Sequence, residues 1–153
     1  MFRTLPVLLL ITIMLSACSP STPTPLATPS LPTFGETWTI KMNHSGGIMG
    51  LSRSIEISSD GKFTVADERS GKTIEGQLST DKLSQLQELI KTLKPVKVTG
   101  IEQTGCADCF IYELEIQGGG KSFSTQVNDI TLNDSGLSPL VDFLRNILET
   151  SLK

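Results

Sequence analysis

Cys106-Ala107-Asp108-Cys109 is the constellation in this chain best suited to chemistry. Two thiols at this spacing can shuttle electrons as a dithiol–disulfide couple, supply half of a zinc site, or close into a small bridge. A redox couple usually sits at a helix N-terminus, where the thiol pKa is lowered. This pair instead runs straight into the strand alternation that starts at Phe110. Zinc needs about four ligands, and the chain offers these thiols plus one distant histidine, His44. No His-Glu-x-x-His or Gly-x-Ser-x-Gly context surrounds that histidine, and beside a glycine-rich loop it reads as an exposed surface residue. Gly46-Gly47-x-x-Gly50 precedes a strand pattern, not the helix that a phosphate-binding loop requires. Glu113 and Glu115 fall on one strand face, opposite the expected core, and read as solvated. The stretch from Asn128-Asp129 to Asn133-Asp134 lacks the spacing of a calcium loop and reads as a turn before the last helix. The expectation is a non-enzymatic chain with no catalytic residue, no metal and no cofactor.

The third cysteine belongs to a different pattern. Arg3, an apolar run from about Leu5 and a small-residue site make a secretory signal, and the site ends in Leu15-Ser16-Ala17-Cys18. This resembles the lipobox of bacterial lipoproteins, in which the cysteine thiol is diacylglycerated and the chain is cut before it. The run is too short for the ~20 residues of a bilayer-spanning helix, and Pro6 and the prolines after Cys18 oppose a buried core helix. The resemblance implies a signal peptide over residues 1–17, lipidation of Cys18, and a chain held at the cell membrane on its extracytoplasmic side.

That address changes the cysteine count. With Cys18 lipidated, Cys106 and Cys109 form an even pair in an oxidising compartment. A small structural disulfide pinning the loop before the strand is the leading reading; redox activity, metal binding and an unbridged pair stay open. Such a bridge closes a short loop, so its entropic gain is modest. The 16 acidic residues outnumber the 13 basic ones, one of which, Arg3, leaves with the signal. An acidic chain without a basic run is a poor partner for nucleic acid or anionic lipid. Membrane attachment therefore falls to the acyl chains, at about 0.8 kcal/mol per buried CH₂.

Residues 18–33 hold five prolines among serines and threonines. This composition buries too little apolar surface to order itself and favours extended polyproline II. At ~3.1 Å per residue it forms a tether on the order of 50 Å long, with the folded domain spanning residues 34–153. There, Trp38, Ile40 and Met42 alternate with polar residues as a strand does. Ile55 and Ile57 lead to the hairpin signal Asp60-Gly61, and Phe63 and Val65 lead away from it. Ser70-Gly71 marks a turn, after which residues 74–78 read as a short return strand. Thr80 reads as an N-cap with Asp81 in the first turn. Leu83, Leu86, Ile90 and Leu93 then share a helix face that Pro95 ends. Phe110, Tyr112, Leu114 and Ile116 alternate, Gly118-Gly119-Gly120 turns, and Phe123, Thr125 and Val127 return. Ser138 as N-cap and Pro139 at the first helical position open a helix bearing Leu140, Val141, Leu144, Ile147 and Leu148. The expected order is β-β-β-α-β-β-α: an α+β fold with one antiparallel sheet of about five strands and two helices on one face.

From Ser45-Gly46-Gly47-Ile48-Met49-Gly50 onward the domain resembles a second family, the emfourin-like inhibitors of thermolysin-like zinc metalloproteases. The resemblance is carried by a strand at residues 38–42, the Ser/Gly-Gly-x-x-Gly segment at 45–50 and the Ser59-Asp60-Gly61 turn. A Leu-rich helix over 83–93, Tyr112-x-Leu114-x-Ile116 and the terminal helix over 140–148 complete it, so that it spans nearly all of residues 36–150. It implies a proteinaceous inhibitor whose partner is a secreted or surface metalloprotease. The Cys106/Cys109 pair and the tether depart from the family pattern. Ser45, Gly46, Gly47, Ile48, Met49 and Gly50 would form the partner-binding loop: glycines permit positive φ and close backbone approach, so the loop could lie in a protease cleft as an uncleaved mimic. The alternative for the loop is a bulged connection between two strands. For the whole chain, the alternatives are a structural or adhesive surface lipoprotein and a thiol-disulfide protein.

Overall fold

The computed structural model describes residues 37–94 and 106–153. The signal over 1–17 with its lipobox cysteine, Cys18, the tether over 18–33 and the helix stop at Pro95 lie outside the described residues. Six strands run β1 (Trp38–Gly46), β2 (Leu51–Ser58), β3 (Lys62–Asp67), β4 (Lys72–Gln77), β5 (Phe110–Gly118) and β6 (Lys121–Asn128). Helix α1 (Thr80–Thr92) follows β4 and helix α2 (Ser138–Leu152) closes the chain. The strands form one open sheet in the order β4-β3-β2-β1-β5-β6, and every neighbouring pair is antiparallel.

The alternation seen in the sequence fixes which face is buried. Ile40 lies opposite Ile57 and Ile116, and Met42 opposite Ile55 and Leu114. Residues directly opposite one another share a face, so these six side chains make one apolar patch, and all are essentially inaccessible. Leu86 and Ile90 of α1 and Leu140, Val141, Leu144, Ile147 and Leu148 of α2 join the same core. The other parity of the central strands carries polar side chains such as Lys41, Glu56 and Glu113, with Lys41, Glu56 and Glu113 exposed. The fold is α+β, as expected.

Three details differ from the expectation. The strands number six, not about five, so the order is β-β-β-β-α-β-β-α. The return stretch is a full strand paired with β3 from Lys62↔Gln77 to Asp67↔Lys72. Its pattern is weak because β4 is an edge strand: Ile74 is half-buried, while Thr73, Glu75 and Gln77 face solvent, a composition that discourages further pairing. At Gly76 a Cβ would come 2.3 Å from the Phe63 ring, so any side chain there would displace that ring. The cap of α1 is Ser79, whose hydroxyl accepts from Lys82 N–H at 3.4 Å, rather than Thr80. In α2, Ser138 is the first helical residue and Leu137 the cap; the Ser138 hydroxyl donates to the Leu132 carbonyl at 3.0 Å instead of capping. The Asp60-Gly61 turn does join β2 to β3. Its carboxylate accepts from the Ser58 hydroxyl at 2.6 Å and from Lys62 N–H at 3.1 Å, and these bonds hold Asp60 well below the usual carboxylate range.

Candidate functional site

The glycine segment forms the connection between β1 and β2 at one end of the sheet. Gly46, Gly47 and Gly50 all have positive φ, at 98°, 68° and 58°. Gly50 N–H donates to the Gly47 carbonyl at 2.9 Å, closing a tight turn with Ile48 and Met49 at its centre. Those two side chains are 85% and 73% exposed, against a core in which their chemical equivalents are fully buried. Ser45 lies within β1, opposite Ser52 and Ile111.

Two neighbours brace the turn. On one side, Gly47 N–H donates to the Cys109 carbonyl at 3.2 Å. A Cβ on Gly46 would lie 2.3 Å from that same oxygen, and one on Gly47 would lie 2.6 Å from the Phe110 ring. On the other side, the Arg69 guanidinium donates to the Met49 carbonyl. The turn carrying Arg69 is itself tied to β2 by Glu68 N–H to the Ser52 carbonyl at 3.0 Å and by the Ser52 hydroxyl to the Glu68 carboxylate at 2.5 Å. Cys106 and Cys109 are bonded as a disulfide with Cα atoms 5.5 Å apart. The loop they close runs directly into β5 and forms one wall of the rim.

Ile130 adds a third exposed apolar side chain, 54% accessible, just beyond β6. Gly46 pairs with Phe110 and Ile111 with Asn128, so Ile48, Met49 and Ile130 lie at the same end of the sheet. They are the large hydrophobic residues left exposed among the described residues. Nothing in the sequence marks Ile130, which stands alone between Asp129 and Thr131 without periodicity. Its exposure follows from a local turn in which the Asn128 side chain accepts from the N–H groups of Ile130 and Thr131 at 3.1 and 3.0 Å.

Below the rim the expectation for His44 is corrected. It is 4% exposed, not a surface residue, because β1 continues to Gly46 and parity places His44 on the same face as Trp38, Ile40 and Met42. Its ring stacks on Tyr112, with centroids 4.8 Å apart, and meets the Phe110 ring edge-on at 4.9 Å. Neither ring nitrogen has a hydrogen-bond partner among the described residues. Burial, reinforced by Arg145 and Arg53 and opposed by Glu149 and Asp129, holds its pKa below the ordinary value. Beside it, the Tyr112 hydroxyl donates to Asp129 at 3.1 Å and accepts from Arg145 at 3.3 Å. Asp129 also accepts from Phe110 N–H at 2.9 Å. Arg53 pairs with Asp67 at 3.0 Å on the adjoining strands. This polar layer fixes β5 and the β6–α2 turn together and so positions the rim above it.

Glu113 is exposed and accepts from Asn43 at 3.1 Å, while Glu115 accepts from Gln117 at 2.7 Å; both belong to the polar sheet face. Among the described residues, no three His, Cys, Asp or Glu side chains converge to hold a metal ion, and no helix is long and apolar enough to cross a membrane. A concavity of about 800 Å³ lies at the opposite end of the sheet, lined by Trp38, Ser58, Asp60, Gln117 and Lys121. It is open to solvent and far from the glycine turn, so the exposed apolar rim is the stronger site. No family model matches the chain, and no curated protein matches it significantly. The functional reading therefore rests on the motif resemblances described above and on the geometry of the rim.

Proposed function

We propose that the chain is a lipid-anchored, extracytoplasmic binding protein whose glycine rim occupies the cleft of a thermolysin-like metalloprotease and inhibits it. The observation that carries the binding surface is the exposure of Ile48 and Met49 on a turn braced from both sides; the class of partner is what the emfourin-like resemblance of residues 45–50 implies. Two adjacent large apolar side chains held in water are costly unless a partner covers them, since each gains about 1.5–3 kcal/mol on burial. A braced turn loses little conformational freedom on binding, which raises affinity. An inhibitor of this kind needs binding groups rather than catalytic ones. Lipidation at Cys18 and the tether over 18–33 would hold the domain where secreted and surface proteases act.

The test is a titration of the chain from residue 18, carrying Cys18→Ser, against a panel of thermolysin-like enzymes. Proteolysis should fall at micromolar inhibitor or below. Ile48→Ser with Met49→Ser should weaken inhibition by tenfold or more, because truncating a central interface anchor costs about 2 kcal/mol or more. Full proteolysis across the panel at micromolar wild-type chain would remove the inhibitor reading in favour of a structural or adhesive lipoprotein.

A further inference from the structure

The disulfide loop and the glycine turn form a single mechanical unit. Cys109 contributes one atom, its carbonyl oxygen, that both receives the Gly47 N–H and abuts Gly46 so closely that no side chain fits there. The next residue, Phe110, packs its ring against Gly47 and His44. The bridge spans four residues at the margin of the sheet, neither cysteine belongs to the apolar core, and the contact with that core begins at Phe110. Closing so short a loop constrains the unfolded chain little, so the bridge acts on local geometry rather than on global stability. It is also reachable: Cys106 is exposed and Cys109 half-buried.

We propose that the Cys106–Cys109 bridge is a redox-sensitive clamp on the glycine turn. Oxidised, it holds the Cys109 carbonyl in place and presents Ile48 and Met49 in a fixed pose. Reduced, it frees residues 106–109, the Gly47 bond is lost for much of the time, and the tip becomes mobile while the sheet stays folded. The reductant is a dithiol. Its thiolate attacks the exposed Cys106 sulfur, forming a mixed disulfide and expelling the Cys109 thiolate. The second thiol of the reductant then displaces Cys106. The bridge has gained two electrons and two protons, and the dithiol has become a disulfide. The consequence for affinity rests on the rim being the binding surface; the change in mobility does not.

Amide hydrogen exchange on the chain from residue 18 with Cys18→Ser, before and after reduction with dithiothreitol, tests the mobility directly. Exchange at Gly47 and through Leu51 should accelerate about tenfold or more, with the amides of the central strand around Ile40 and Ile116 unchanged. Unaltered exchange at the turn overturns the clamp, and so does equal acceleration across the whole sheet, which would make the bridge a global staple. Cys106→Ser with Cys109→Ser reproduces the reduced state without a thiol reagent, which would also bind the protease zinc. In the protease titration this double variant should inhibit at least tenfold more weakly than the oxidised chain, and equal potency overturns the gating of affinity. A wild-type chain that fails to inhibit counts against the protease reading alone, because the exchange measurement still decides the clamp.

Discussion

The imidazole of His44 sits between Tyr112 and Phe110 with both nitrogens lacking a hydrogen bond among the described residues. An unsatisfied buried polar group costs about 1–3 kcal/mol, and charging it there costs more. The groups that face it come from several elements: Arg53 on β2, Asp129 after β6, and Arg145 and Glu149 on α2. Desolvation and the two arginines outweigh the two carboxylates and depress its pKa. The unfolded chain then binds the proton more readily than the folded one. Stability is therefore complete above the ordinary histidine value of about 6.5 and is lost as pH falls from there through the depressed folded value. Urea midpoints between pH 7.5 and 5 should fall with acidity. His44→Phe keeps an aromatic ring, removes both nitrogens and should flatten that part of the profile. A wild-type profile already as flat as that of His44→Phe would contradict the assignment. Since His44 supports Phe110, which in turn packs on Gly47, acid would act on the same end of the sheet that carries the rim.

At the scale of elements, the glycine turn works through two different uses of positive φ. At Gly50 a Cβ would meet nothing within 4 Å, so its requirement is conformational alone. At Gly46 the same requirement is joined by the 2.3 Å approach to the Cys109 carbonyl, a backbone atom that cannot rotate away. Gly50→Ala should cost about 1 kcal/mol, the usual penalty for a left-handed non-glycine residue. Gly46→Ala should cost more, about 2 kcal/mol or above, and should also disturb the start of β5. Urea denaturation of both variants compares them, and equal losses would mean that the close approach carries no weight. The sequence shows these glycines but not this distinction, because Cys109 lies more than sixty positions away and only the β1–β5 register brings it near. Alternation in Ile40–Met42, Ile55–Ile57 and Leu114–Ile116 made the central strands legible, since each buries one face. Strand β4 was underestimated because an edge strand buries little. The burial of His44 is not legible because polar Asn43, His44 and Ser45 hide the continuing parity of β1.

For the whole molecule, the direction of β1 sets the two poles. The described chain arrives at residue 37 at the end of the sheet bearing Trp38, Gly118 and Lys121, and β1 carries it across nine residues to Gly46. At about 3.3 Å per residue that is on the order of 30 Å. If Cys18 carries a lipid, as the lipobox resemblance implies, the attachment leads to the pole opposite Ile48 and Met49. Anchoring and binding are then separable. Cys18→Ser in cells should abolish incorporation of labelled fatty acid and move the protein out of the membrane fraction. The soluble Cys18→Ser chain, meanwhile, should inhibit its target as strongly as the lipidated one on vesicles, because the rim does not depend on the lipid. Retention of the label in Cys18→Ser would remove the lipobox reading. Inhibition that requires the lipid would instead place the pole beside Trp38, with its open groove, in contact with the partner.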